Sequence, residues 1–203
     1  MHDGRSRPRS AETGLTMLVV TGTRARRARY AIGTDPHVSI ALTWPAPEPE
    51  ATVYWMAGDD RSVLDVGVSR ATYEINGVTL VLPGPSFRVK SGRAPRWSGP
   101  VADGQPVCDP ASVPPAHLDH TFVRSGKSFT ITLYDDAVRI ALEGQTERAV
   151  RTGCAVFELS ATSALTGITI TDVRPRVRRN VLWAGTGKEP GETAVYGGGR
   201  HGA

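Results

Sequence analysis

Alternation with period two governs this chain. Between residues 38 and 44, Val38, Ile40, Leu42 and Trp44 take one side and Ser39, Ala41 and Thr43 the other. Such a pattern buries one face only when the backbone is an extended strand. Thr52 to Met56 continues it, with Val53 and Trp55 opposed to Tyr54, ahead of a Gly58-Asp59-Asp60 turn. Further strands are expected at 17–21, 62–68, 86–90, 120–124, 147–151, 154–159 and 167–173, and helical periodicity is nearly absent. About a dozen short strands, spaced by roughly 8–12 residues, predict an all-β chain folded as an antiparallel two-sheet β-sandwich of jelly-roll type, with a closed β-barrel as the alternative. The 22 Gly and 15 Pro among 203 residues agree, since both favour turns over long helices.

Two hairpins can be placed from their turns. Asn76-Gly77 has the residue types that tolerate the positive φ of a type I′ turn. A two-residue turn there predicts the pairs Ile75–Val78, Tyr73–Leu80 and Ala71–Leu82, all on one buried face. With Asp135-Asp136 at a second turn, Leu133 meets Val138, Ile131 meets Ile140 and Phe129 meets Leu142. The outer face of this second hairpin then carries Thr130, Thr132, Tyr134 and Arg139, which make either a solvated sheet surface or a shallow polar binding face.

The chain divides into a basic, flexible N-terminal arm (1–29), one β domain (30–183) and a Gly-rich tail (184–203) expected to be disordered. Within the domain, 91–117 holds six Pro and three Gly and reads as a long irregular loop, a kind of segment that is usually functional or disordered. It separates two halves between which no repeat is evident. The formal net charge of +4 belongs to the ends: residues 1–30 hold seven Arg against Asp3 and Glu12, and 31–173 are mildly acidic. Arg24-Ala25-Arg26-Arg27-Ala28-Arg29 has the charge to dock on phosphate, but a chain with only three Lys owes its Arg excess as readily to coding bias, which argues against nucleic acid. The arm or an edge strand remains available to a protein partner. No apolar run of ~7–15 residues follows the basic start, so no export signal is legible. No run nears the ~20 residues of a membrane span, and a cytoplasmic location is the default expectation. Translation starts at Met1 or at Met17.

Few residue groups offer chemistry. His117-Leu118-Asp119-His120 is the densest. In an extended segment His117 and Asp119 share a face and His120 points away, which opposes a three-ligand metal site but suits a general base oriented by a carboxylate. The plainer reading is a set of exposed residues capping a strand. Asp59-Asp60 and Asp135-Asp136 have calcium-binding oxygens, yet one pair supplies too few ligands and Asp is an ordinary turn residue, so neither a cofactor nor a metal is expected. Gly185-Thr186-Gly187-Lys188 lacks the first Gly and the Ser or Thr of a phosphate-binding loop, and Gly67-Val68-Ser69-Arg70-Ala71 lacks the closing Gly of a nucleophile elbow. Cys108 and Cys154 form one disulfide or a reduced buried pair. Trp97 stands apart from the strand-borne aromatics. It lies inside the irregular loop between Arg93, Arg96 and Ser98, where an indole either stacks on a ligand or pins the loop.

The run HTFVRSGKSFTITLYDDAVRIALEGQTERAV followed by CAVFELSATSALTGITITDVRP resembles the back half of concanavalin A-like and laminin-G-like sandwiches, including the β-sandwich modules appended to glycosidases. The likeness covers about residues 118–175 and is a succession of strands, with Asp135-Asp136 and Glu143-Gly144 at two turns. The E-x-D-x-x-E strand of glucanases with this fold is missing, as is the calcium cluster of legume-type lectins. The resemblance therefore implies a non-catalytic carbohydrate-binding sandwich; the loop indole and the polar hairpin face described above supply Trp97, Tyr134 and Arg139 as ligand-binding candidates. Two alternatives stand beside it. One is a small β-fold enzyme, a hydrolase of glycosidic substrates or an isomerase, that uses His117, Asp119 and His120 under a Trp97 lid. The other is a protein–protein interaction module.

Overall fold

The computed structural model describes residues 17–25, 29–33, 38–44, 51–59, 62–81, 86–113 and 122–187. His117, Asp119, His120 and Asp60 lie outside them, as do residues 1–16 and 26–28 of the expected arm. Strands are numbered here in chain order. One sheet has six, in the spatial order β10 (Phe122–Arg124), β4 (Thr52–Asp59), β5 (Ser62–Ser69), β6 (Ile75–Val81), β3 (Ile40–Thr43) and β2 (Ala31–Gly33). The other has seven: β7 (Phe87–Val89), β11 (Phe129–Leu133), β12 (Ala137–Leu142), β15 (Leu165–Thr171), β14 (Ala155–Leu159), β13 (Arg148–Thr152) and β8 (Val101–Asp103). β1 (Val20–Arg24) and β9 (Gln105–Cys108) form a separate antiparallel ribbon. A helix α1, Pro175–Thr186, follows β15.

The chain is an all-β sandwich, and neither sheet closes into a barrel. Pairing is antiparallel except at three edges, where β10, β7 and β8 run parallel to β4, β11 and β13. Alternating apolar residues from both sheets make one core, in which the Trp44 and Phe157 rings lie 5.9 Å apart. No helix among the described residues is long and apolar enough to cross a membrane.

The Asp135-Asp136 hairpin has the expected register, Phe129–Leu142, Ile131–Ile140 and Leu133–Val138. The Asn76-Gly77 hairpin does not exist. β6 runs straight through both residues, and the reversal occurs earlier, at Arg70–Tyr73, where Tyr73 takes φ 58° and Ser69 N–H donates to the Glu74 carbonyl at 2.9 Å. The three-residue step from Ile75 to Val78, which a two-residue turn explains on paper, is absorbed by a β-bulge. Gly67 pairs with Gly77 and Val68 with Ile75, leaving Asn76 as the extra residue. Its amide donates to Thr52 Oγ1 at 2.9 Å, so both Ile75 and Val78 still face the core.

Three further expectations need correction. The 91–117 loop contains β8 and β9, because its backbone pairs with β13 and β1. The arm is not free throughout. Leu18 and Val20 are buried, and Val20–Arg24 is strand β1. The tail does not begin at 184, since α1 runs through Thr186 to a left-handed cap at Gly187.

The two sheets repeat one frame. β4, β5, β6, β3 and β2 correspond in order and direction to β13, β14, β15, β12 and β11, and each block carries a parallel edge strand on its first member. Ser69-Arg70-Ala71-Thr72-Tyr73-Glu74-Ile75-Asn76-Gly77-Val78-Thr79-Leu80 matches Ser160-Ala161-Thr162-Ser163-Ala164-Leu165-Thr166-Gly167-Ile168-Thr169-Ile170 once one residue is skipped. Both turns place one residue at positive φ, Tyr73 at 58° and Ser163 at 68°. Both are followed by a bulge, at Gly67/Val68 and at Glu158/Leu159. The ribbon joins the copies symmetrically: Cys108 N–H donates to the Tyr73 carbonyl at 2.8 Å and Val20 N–H to the Ser163 carbonyl at 2.9 Å. Val20 and Cys108 are themselves register partners.

Candidate functional site

Because β-strands alternate faces, pairing carries one outward row across the whole seven-stranded sheet. The row runs Arg88, Thr132, Arg139, Thr169, Val156, Arg151, Asp103, from β7 to β8. Over this face passes the segment from Lys90 to Pro100, tied down at both ends. Gly92 N–H donates to Asp135 Oδ2 at 2.7 Å and Ala94 N–H to Asp136 Oδ1 at 2.8 Å, fixing one end to the β11–β12 hairpin. At the other end the Pro100 carbonyl accepts from Ala149 N–H of β13 at 2.9 Å. The segment is thus a strap thrown over β15 and β14, and a cleft of about 520 Å³ lies between strap and sheet.

Arg139, Arg151, Thr169, Thr171 and Val156 contribute to the floor of the cleft, and Arg93, Pro95, Arg96 and Trp97 to its roof. Trp97 is half-buried. Its ring lies against Gly99, where an added Cβ would approach Cζ2 to 2.5 Å, and its N–H donates to the Pro100 carbonyl at 3.2 Å. The indole thus both braces the strap and forms part of the cleft wall.

Glu158 fixes the floor. Although it faces outward it is only 5% exposed, and it lies along the sheet toward β12. Oε1 accepts from Arg139 Nε at 3.0 Å and from Thr169 Oγ1 at 2.8 Å, while Oε2 accepts from Arg139 Nη2 at 2.7 Å. This fork-to-fork pairing holds a guanidinium in one plane. Gly167 clears the path, since a Cβ there would sit 3.0 Å from both Glu158 Oε2 and the Ile140 carbonyl. Two of the five N–H donors of Arg139 are engaged by Glu158, which leaves others for the cleft.

Of the residues singled out by sequence, Trp97 and Arg139 line this one cleft. Tyr134 does not. It is buried at the end of the hairpin, where Arg178 of α1 donates to its carbonyl and pairs with Asp135 at 3.2 Å. His117, Asp119 and His120 lie outside the described residues. Asp135 and Asp136 hold the strap, and among the described residues no group of three or more His, Cys, Asp or Glu side chains is placed to hold a metal. Cys108 and Cys154 are free thiols. Burial pushes Cys108 up to about 12 and Cys154 up to about 11, so both stay protonated near neutrality. Sequence reasoning missed Glu158, Arg151, Thr169 and Thr171, because only long-range pairing sets them beside Arg139. No family model and no curated protein sequence matches the chain.

Proposed function

We propose that this protein is a non-catalytic, carbohydrate-binding β-sandwich whose ligand lies in the cleft beneath the 90–100 strap. The observation that carries this reading is the cleft itself. Its lining combines an indole wall, the hydroxyls of Thr169 and Thr171 and a guanidinium aimed by Glu158. A sugar presents an apolar ring face and a rim of hydroxyls, and an aromatic side chain with converging polar groups matches both. The resemblance of residues 118–175 to concanavalin A-like modules supports the same reading. Glu158 and Asp136, the two carboxylates of the cleft, are both held in hydrogen bonds with protein groups, an arrangement that favours binding over acid–base chemistry.

The test is titration calorimetry with an oligosaccharide panel on the wild type and on Trp97→Ala. The variant is expected to lose affinity while its unfolding free energy stays within about 1 kcal/mol of wild type, as for a residue outside the core. Retained affinity in a stably folded Trp97→Ala would remove the indole from the site. Turnover of any of these sugars by the wild type would refute the non-catalytic assignment.

A further inference from the structure

We infer that the ligand of this cleft is anionic, an oligosaccharide bearing carboxylate or sulfate groups. This rests on the carbohydrate reading and names the class of sugar. Four guanidiniums line the cleft, Arg139 and Arg151 from the floor and Arg93 and Arg96 from the strap. Among the described residues, Arg139 alone of the four has a carboxylate partner. Among the described residues no carboxylate lies within 4.0 Å of the other three guanidiniums. Asp103, the register partner of Arg151, makes no ion pair with it. Unpaired like charges gathered around one cavity repel one another, and an anion entering it relieves that repulsion. Guanidinium forks match carboxylate and sulfate oxygens in both geometry and charge.

The repeated frame supplies an independent control. If the fold itself required arginine at these floor positions, the six-stranded sheet would carry it too. Its equivalents of Arg139 and Arg151 are Ala41 and Met56, which hold the same places relative to Thr79 and Asp65 as the arginines hold to Thr169 and Val156. The frame does without these charges: Arg139 accompanies Glu158, for which the six-stranded sheet has Gly67, whereas Arg151 answers no such carboxylate and faces the cleft. Arg139 and Arg151 also stand three strands apart in one row, about 14 Å. A ligand engaging both extends beyond a single sugar ring, with Thr169 and Val156 beneath its middle.

Calorimetry at low salt tests this with four probes: a galacturonate tetramer, a sulfated tetramer, a neutral galactose tetramer and inorganic sulfate. At least one acidic tetramer is expected to bind about tenfold or more tighter than the neutral one, as charge-assisted hydrogen bonds imply. That advantage should shrink as salt is added. The tighter of the two acidic probes identifies the anionic group. Arg151→Gln, and separately the pair Arg93→Gln/Arg96→Gln, are expected to abolish the preference with the melting temperature unchanged, since all three side chains are exposed. Equal binding of neutral and acidic tetramers overturns the inference and leaves the carbohydrate reading standing. Binding of sulfate without any tetramer, or of none of the four, overturns both.

Discussion

Gly33, Ala41, Thr79, Asp65, Met56 and Arg124 form a row across the outer face of the six-stranded sheet. The matching row on the seven-stranded sheet reads Thr132, Arg139, Thr169, Val156, Arg151 and Asp103. Only the threonine is common. On the inner faces of the central strands, by contrast, apolar answers apolar: Leu42 and Ile140, Val78 and Ile168, Leu80 and Ile170, Val66 and Phe157. The frame is therefore set by the inner faces and by the bulge glycines Gly77 and Gly167. The cleft is the work of outer residues that the frame leaves free to vary. Sharing a frame says nothing about sharing a site.

The largest expected effect tests the inner faces. Phe157 is fully buried against Trp44, whereas their equivalents are the smaller Val66 and Leu142. Phe157→Ala should cost about 3–5 kcal/mol and Val66→Ala about 2 kcal/mol in urea unfolding. Equal losses would mean that the two sheets share the core evenly and that the Trp44–Phe157 contact adds nothing.

Next comes a transplant. Gly67 occupies the place of Glu158, and a Cβ there would stand 2.7 Å from Asn76 Oδ1. Gly67→Glu therefore crowds Asn76 and buries a carboxylate facing Ala41 where the other sheet offers an arginine; a loss of about 3 kcal/mol is expected. Adding Ala41→Arg should return about 1 kcal/mol or more through pairwise coupling. Strict additivity of the two changes would break the positional correspondence.

Glu158→Ala acts in the opposite sense, making the seven-stranded sheet resemble its partner. Four donor groups lose their acceptor, Arg139 Nε and Nη2 and the hydroxyls of Thr169 and Thr146, but the Arg139 side chain is 40% exposed and water takes up part of the deficit. About 1–2 kcal/mol of stability should go. Ligand affinity should fall further than stability predicts, because Arg139 is no longer aimed.

Most strands were legible because each side of the sandwich needs an alternating apolar face, and alternation is a local signal. The Asp135-Asp136 hairpin was legible for the same reason, since its turn and its apolar phase agree. Asn76-Gly77 misled because a turn and a bulge shift the apolar phase alike, and only the partner strand, with Gly67 opposite Gly77, tells them apart. The repeat was hidden by the skipped residue between the two turn segments and by the divergence of the outer faces. Trp97 and Arg139 could be singled out, one by its odd setting and the other by its face. Glu158 could not, because its partner lies two strands away in the sheet and 19 residues away in sequence.

The smallest effect probes the face without a cleft. Asp65 takes the place of Val156, and among the described residues nothing donates to its buried Oδ1. Burial without a partner raises its pKa above the ordinary 3.8. In the unfolded chain the carboxyl ionises at its ordinary value, whereas in the folded protein it resists ionisation until higher pH. Below 3.8 both states are protonated and Asp65 carries no electrostatic cost. As pH rises through the folded pKa, the cost of holding the charged form out of water appears in full and then stays constant. Asp65→Asn should therefore melt at a higher temperature than wild type at pH 7 and lose that advantage at pH 3. An advantage of equal size at both pH values would show that the aspartate is penalised for its shape and not for its charge.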